Sequence, residues 1–142
     1  MKLSTKGRYA VRAILDLAQN NKDGLVLVKD IAKRQKISER YLERLFLALK
    51  KAGLVKSVRG AHGGFTLAKS PRQIKLLDVV RVSEGPLSLV DCVVDGGICP
   101  RSSNCVTRDV WTELQAAMDN VLGSITLQDL MARQQAKQQT SG

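Results

Sequence analysis

The sequence predicts a mainly α-helical chain that carries one small β-hairpin and a long helix behind it. Three observations point to that class. Apolar residues recur at helical spacing from Val11 to Leu49. Two short β-prone runs flank the glycine-rich stretch Gly60, Ala61, His62, Gly63 and Gly64. Farther on, Thr107, Val110, Leu114, Ala117 and Val121 repeat in alternating steps of three and four.

Ser4 and Thr5 precede the first helix, in which Val11, Ile14, Leu15 and Ala18 form the apolar face and Arg12, Asp16 and Gln19 the polar one. Asn20 to Gly24 break it, and Val28, Ile31 and Ala32 make a short second helix that runs out near Gln35. Ser38 is an N-cap for a third helix, Glu39 suits its positive end, and Leu42, Leu45, Phe46 and Leu49 mark a stripe to be buried before Gly53 stops it. A short helix, a brief turn and a longer helix with basic flanks is the spacing of a helix-turn-helix. Leu54 to Arg59 and Phe65 to Ala68 then form a hairpin, the wing of a winged helix, with Lys56 and Arg59 on one arm. Ser70 and Pro71 punctuate the chain, and Leu76, Leu77, Val79 and Val80 predict a helix ending before Gly85 and Pro86.

Residues 1–84 are thus expected to be a winged helix-turn-helix DNA-binding domain, and 85–106 a cysteine-containing loop whose length calls for an ordering partner or a function. Residues 107–133 are expected to hold a dimerisation helix and a short C-terminal helix starting at Thr126 and Asp129, and 134–142 a disordered glutamine-rich tail. In the long helix Trp111, Met118 and Leu122 widen the apolar seam, which suits pairing with a second copy or packing on its own domain.

At 142 residues with 44% hydrophobic and 25% charged content, the chain has room for one ordinary globular domain and a small appendage, which excludes a large multidomain enzyme. The net charge of +10 attracts polyanions. Residues 1–75 hold 18 basic and 5 acidic side chains, against 5 basic and 8 acidic in 76–142, so that surface belongs to the first half. No apolar run approaches the ~18 residues of a membrane span. Lys2, Lys6, Arg8, Arg12 and Asp16 spoil any signal-peptide core, so the expected location is the cytoplasm, with no membrane partner. Neither a nucleophile with a histidine base nor a phosphate-binding glycine loop appears, and the sole histidine, His62, falls in the wing tip; the expectation is not an enzyme.

On the third helix the positions outside the apolar stripe include Glu39, Arg40, Glu43, Arg44 and Lys50, with Tyr41 near the start. Arginine bridges guanine O6 and N7, and a carboxylate accepts from the cytosine N4 amine, so Arg40 and Glu43 are candidate base readers, with Ser38 and Tyr41 donating to phosphate. Lys2, Lys6, Arg8, Lys33, Arg34, Lys56 and Arg59 are candidate phosphate partners, and Arg59, before the wing tip, also suits a narrow minor groove.

All three cysteines, Cys92, Cys99 and Cys105, stand in a C-x6-C-x5-C pattern. Structural zinc would take four ligands and usually a C-x2-C hook, which is missing, so iron–sulfur ligation fits better. A reversible Cys99–Cys105 disulfide switch and inert small residues are the other readings.

Four segments together resemble a known family: the opening Met1-Lys2-Leu3-Ser4-Thr5-Lys6-Gly7-Arg8-Tyr9-Ala10-Val11, the Ser38-x-x-Tyr41-Leu42-Glu43-x-Leu45 helix, the Val58-Arg59-Gly60-x-x-Gly63-Gly64 wing and the three-cysteine loop. In that order and spacing they are similar to the IscR-like iron–sulfur cluster regulators, bacterial winged-helix transcription factors, over residues 1 to about 131. The resemblance implies a homodimeric repressor on double-stranded operator DNA, with Ser38, Arg40, Tyr41, Glu43 and Arg59 in contact with DNA. It implies an iron–sulfur cluster on Cys92, Cys99 and Cys105, two-iron in preference to four-iron, and iron–sulfur assembly proteins as further partners. The regulated response would be cluster biogenesis or iron, oxidative or nitrosative stress; the other branch of the resemblance is a cluster-free, thiol- or partner-sensing regulator of cysteine metabolism. The chain departs from the pattern at Arg108, where the cluster regulators have a histidine ligand, and at Arg8, where nitric-oxide-sensing relatives have an acidic one. Asp91, Asp95, Asp109, solvent or a residue of the other subunit are the candidates for the fourth ligand.

Overall fold

A computed structural model describes residues 3–21, 24–58, 64–85 and 106–141. Three helices come first: α1 (Thr5–Gln19), α2 (Val28–Gln35) and α3 (Glu39–Lys51). Their starts and stops follow from local chemistry. The Ser4 hydroxyl accepts the Gly7 amide at 3.3 Å and the Ser38 hydroxyl the Tyr41 amide at 3.0 Å, each satisfying an amide that the helix itself leaves unbonded. After α3, Gly53 takes a φ of +79°, a left-handed backbone that glycine adopts at no steric cost. Between α2 and α3, Lys36 adopts the left-handed region at φ +55° and closes the turn by donating its amide to the Ala32 carbonyl.

Strands β1 (Val55–Val58) and β2 (Gly64–Leu67) pair antiparallel, Val55 opposite Leu67 and Val58 opposite Gly64. Val26 extends this ribbon, exchanging backbone hydrogen bonds of 3.0 and 2.9 Å with Phe65. Glycine is needed at position 64, because a Cβ there would stand 2.8 Å from the Val26 carbonyl oxygen and collide with the Leu25 side chain. A 3-10 turn (Pro71–Gln73), boxed by Ser70 and Gln73, leads into α4 (Leu76–Glu84). Helices α5 (Val106–Ser124) and α6 (Leu127–Ser141) complete the described chain.

The core gathers Ile14 and Leu17 of α1, Ile31 of α2, Leu42, Phe46 and Leu49 of α3, and Ile74 and Val79. Phe46 is fully buried and stacks on Phe65 with ring centroids 5.0 Å apart, which fixes the wing to the back of α3. Leu127 enters the same core, and reciprocal 2.8 Å bonds, Leu76 amide to Ile125 carbonyl and Leu127 amide to Ile74 carbonyl, clamp the α5–α6 corner to the start of α4. The mainly α architecture with one antiparallel wing and a long helix behind it is therefore the one expected.

Two expectations are corrected. The last helix is not short and the tail is not disordered through 134–141: α6 continues to Ser141 because residues 132–139 are all alanine, glutamine, lysine or arginine, good helix formers, with no glycine or proline before residue 142. Asp16, placed on the outer polar side of the first helix, is 3% exposed. Its carboxylate accepts from the Asn20 amide nitrogen four residues on and from the Arg34 guanidinium and the Gln35 amide nitrogen of α2, so its burial is compensated mainly by donors of another helix. The cysteine stretch, the wing-tip residues 59–63 and Lys2 lie outside the described residues.

Candidate nucleic-acid interface

Helix α3 divides cleanly by face. Leu42, Leu45, Phe46 and Leu49 point into the core, whereas Glu39, Arg40, Glu43, Arg44, Lys50 and Lys51 are exposed. Its first turn is held twice, by the Ser38 cap and by an edge-on contact between the half-buried Tyr41 and Tyr9, whose ring centroids are 5.8 Å apart. That contact sets the second turn of α1, which follows the exposed Lys6 and Arg8, against the first turn of α3. Arg8 also donates to the Thr5 hydroxyl at 3.2 Å.

A shallow groove of about 250 Å³ runs between the start of α2, the outer side of α3 and the wing, with Lys29, Glu39, Glu43, Ser57 and Val58 along it. Glu43 lines this groove, and Lys56 is exposed on the wing strand beside it. Of the expected contact residues, Glu43 lines the groove itself, Ser38, Arg40 and Tyr41 stand at the start of the same helix, and Lys56 is exposed on the strand that carries Ser57 and Val58. Arg59 falls outside the described residues, as do Cys92, Cys99 and Cys105.

Arg34 is placed differently from the phosphate partner expected. Its guanidinium forms a forked pair with the buried Asp16, the closest approach being 2.7 Å, and that carboxylate holds the Arg34 pKa above the ordinary arginine value. Its charge is already answered inside the fold. Arg12, which the sequence placed only on a polar face, ties α1 to the end of α2. Its guanidinium lies over the Tyr9 ring at 5.2 Å and donates both to the Gln35 side chain and to the Gln35 carbonyl at the end of α2. Glu84 was also missed: its carboxylate accepts from the Ser4 amide at 3.0 Å, the Gly7 amide at 3.1 Å and the Ser4 hydroxyl, a negative charge on the positive end of α1. Position 7 must be glycine for this, since a Cβ would collide with that carboxylate.

A family profile described as "Rrf2: Iron-dependent Transcriptional regulator" matches residues 3–133. The chain belongs to the Rrf2 family. It is 44% identical over 131 residues to Protein rrf2 of Nitratidesulfovibrio vulgaris, covering 92% of this chain and 87% of that protein. Among solved structures it is similar to T. potens IscR, with a TM-score of 0.76 and 47% identity over 94% of this chain and 88% of that one. It is likewise similar to CymR, the global cysteine regulator of Bacillus subtilis, with a TM-score of 0.78 and 40% identity over 94% of this chain and 98% of that one. As an Rrf2-family member the chain is a DNA-binding transcriptional regulator, and its winged helix with a long rear helix is the architecture of a homodimeric one.

In this Rrf2 chain the long rear helix carries the expected seam outward. Val106, Val110, Leu114 and Val121 of α5 are exposed, and Leu3, Val80, Leu114, Ala117, Met118, Val121 and Leu122 line a wholly apolar groove of about 410 Å³. Among the described residues no group of three or more His, Cys, Asp or Glu stands ready to hold a metal ion, and no helix is long and apolar enough to cross a membrane.

Proposed function

We propose that the chain is a homodimeric repressor, working in the cytoplasm, whose operator binding is controlled by an iron–sulfur cluster ligated by Cys92, Cys99 and Cys105. The regulated response would be iron–sulfur biogenesis or iron, oxidative or nitrosative stress, with iron–sulfur assembly proteins supplying the cluster. The observation that carries this reading is where the donors fall: every cysteine of the chain lies in the connection between α4, the last helix packed on the reading head, and α5, the helix with the exposed seam. The donor set fits the group, because thiolates are the usual ligands of iron–sulfur iron. When bound, such a cluster supplies a site whose occupancy and oxidation state respond to iron, oxidants and nitric oxide.

The rest of the reading concerns the chain's own side chains. Two copies joined along the α5 seam present two α3 helices to successive major grooves, with the wings beside them. Arg40 and Glu43 read base edges there; Ser38, Tyr41, Lys6, Arg8, Lys56 and Arg59 bind the backbone. Glu84, the last residue of α4, ties that end of the connection to the start of α1, so a change in the connection bears directly on Lys6 and Arg8.

A second reading, thiol or partner sensing without iron, is supported by Arg108, a permanent cation where the cluster regulators have a histidine, and by the likeness to CymR. Anaerobic purification with a visible spectrum and iron and sulfide counted per protomer separates the two. A brown protein with iron and sulfide near equal, losing its absorbance in Cys→Ala variants at 92, 99 or 105, is the expected result. A protein still colourless and iron-free after reconstitution, yet losing DNA binding on mild oxidation, overturns it in favour of the second.

A further inference from the structure

The outer face of α3 carries one residue that does not belong with its neighbours. Glu39, Arg40, Glu43, Arg44, Lys50 and Lys51 are all charged and exposed; Leu47, in their midst, is 53% exposed. The stripe leucines of the same helix, Leu42, Leu45 and Leu49, are 0–3% exposed, so Leu47 is no part of the core. It lies four residues beyond Glu43 and seven beyond Arg40, which on a helix of 3.6 residues per turn is the same side, directly down the helix from both candidate base readers.

Single exposed leucines are common on protein surfaces, but this one stands on the same side of α3 as Arg40 and Glu43, and whatever packs on it must tolerate the cations on either side. Arg40, Arg44, Lys50 and Lys51 repel a basic partner and a second copy of this helix alike, and they match a polyanion. The floor of the DNA major groove has one distinctly apolar group to offer, the C5-methyl of thymine. We infer that Leu47 is a specificity-determining residue that packs on a thymine methyl in each half-site, selecting thymine over cytosine at a position next to the base pair read by Glu43. The inference rests on α3 being the reading helix, as proposed above.

The test begins with operator selected from random duplexes by the full-length protein, followed by replacement of each half-site thymine, one at a time, by deoxyuridine, which removes the methyl and keeps every hydrogen-bonding group. At one thymine per half-site the loss should be about fourfold, the worth of one buried methyl group. In Leu47→Ala that same replacement should cost nothing, while Leu47→Met, which keeps an apolar contact, should retain most of the sensitivity. Leu47→Ala removes an exposed side chain in favour of a better helix former, so folding is not at stake. Equal sensitivity to deoxyuridine in the wild type and Leu47→Ala, or no sensitive thymine at all, overturns the inference. Arg40→Ala separates this failure from that of the underlying reading: if it too leaves base preferences unchanged, α3 is not the reading helix, whereas altered preferences leave that reading standing and discard only the role of Leu47.

Discussion

Helices α3 and α5 both carry an apolar stripe at helical spacing, and the fold treats them in opposite ways. The α3 stripe is sealed inside the chain, with Phe46 fully buried against Phe65. The α5 stripe stays open: Val110 and Leu114 are each 46% exposed. Periodicity therefore states that a face is to be covered without stating by what. For α3 the cover is the three-helix core and the wing of the same chain; for α5 it is the second copy of a homodimer in the reading given above.

The sharpest way to break the comparison is to damage each stripe separately. Phe46→Ala should cost about 3–5 kcal/mol of unfolding free energy, the usual value for emptying a buried aromatic site. Its effect should appear at every protein concentration in chemical denaturation. Leu114→Glu should leave the helical circular dichroism of the dilute protein intact and weaken self-association tenfold or more, about 1.4 kcal/mol. Analytical ultracentrifugation across a dilution series reads it, and an unchanged dimer would show that α5 is covered by something else.

A smaller effect distinguishes two cations of the winged helix, Arg34 and Lys56. Arg34→Ala should lower stability by about 1 kcal/mol, discounted because the guanidinium is 41% exposed, and leave the salt dependence of DNA binding unchanged. Lys56→Ala should do the reverse, reducing the logarithmic salt slope by about one with little change in melting. A flattened slope for Arg34→Ala would return it to the phosphate partners.

The smallest effect lies at the start of α6. Asp129 accepts the Thr126 amide at 2.9 Å and donates its own amide to the Thr126 hydroxyl at 3.1 Å, and the backbone bond foremost holds its pKa below the ordinary carboxylate value. A carboxylate lowered on folding contributes stability above its unfolded pKa, about 3.9, and loses it as the pH falls through the lower folded value. Amide protection at the α6 start, taken relative to the intrinsic exchange rate, should therefore fall only below about pH 4; Asp129→Asn should abolish that dependence.

Much of the reading head was legible because its determinants are local. Ser38 caps a helix within three residues, Gly53 stops it within two of its end, and the stripe of α3 reads directly from spacing. What was not legible depended on distant partners. Nothing near Asp16 announces that Arg34 and Gln35 will surround it, and nothing near Gly7 announces Glu84. The α6 tail misled for another reason: a polar, glutamine-rich composition suggests disorder, while the same residues have good intrinsic helix propensity and begin from a firmly boxed turn. The cysteine stretch and Arg59 lie outside the described residues, so those expectations rest on the sequence and its resemblance alone.

The Glu84 contact also bears on how the chain is made. Helix α1 is synthesised first, yet the carboxylate that bonds the Ser4 and Gly7 amides is supplied 77 to 80 positions later. Translation at about 5–20 residues per second leaves the beginning of α1 without that bond for several seconds. A nascent chain stalled before residue 84 has cleared the ribosome should consequently show a frayed α1, and one released just beyond it a firm one.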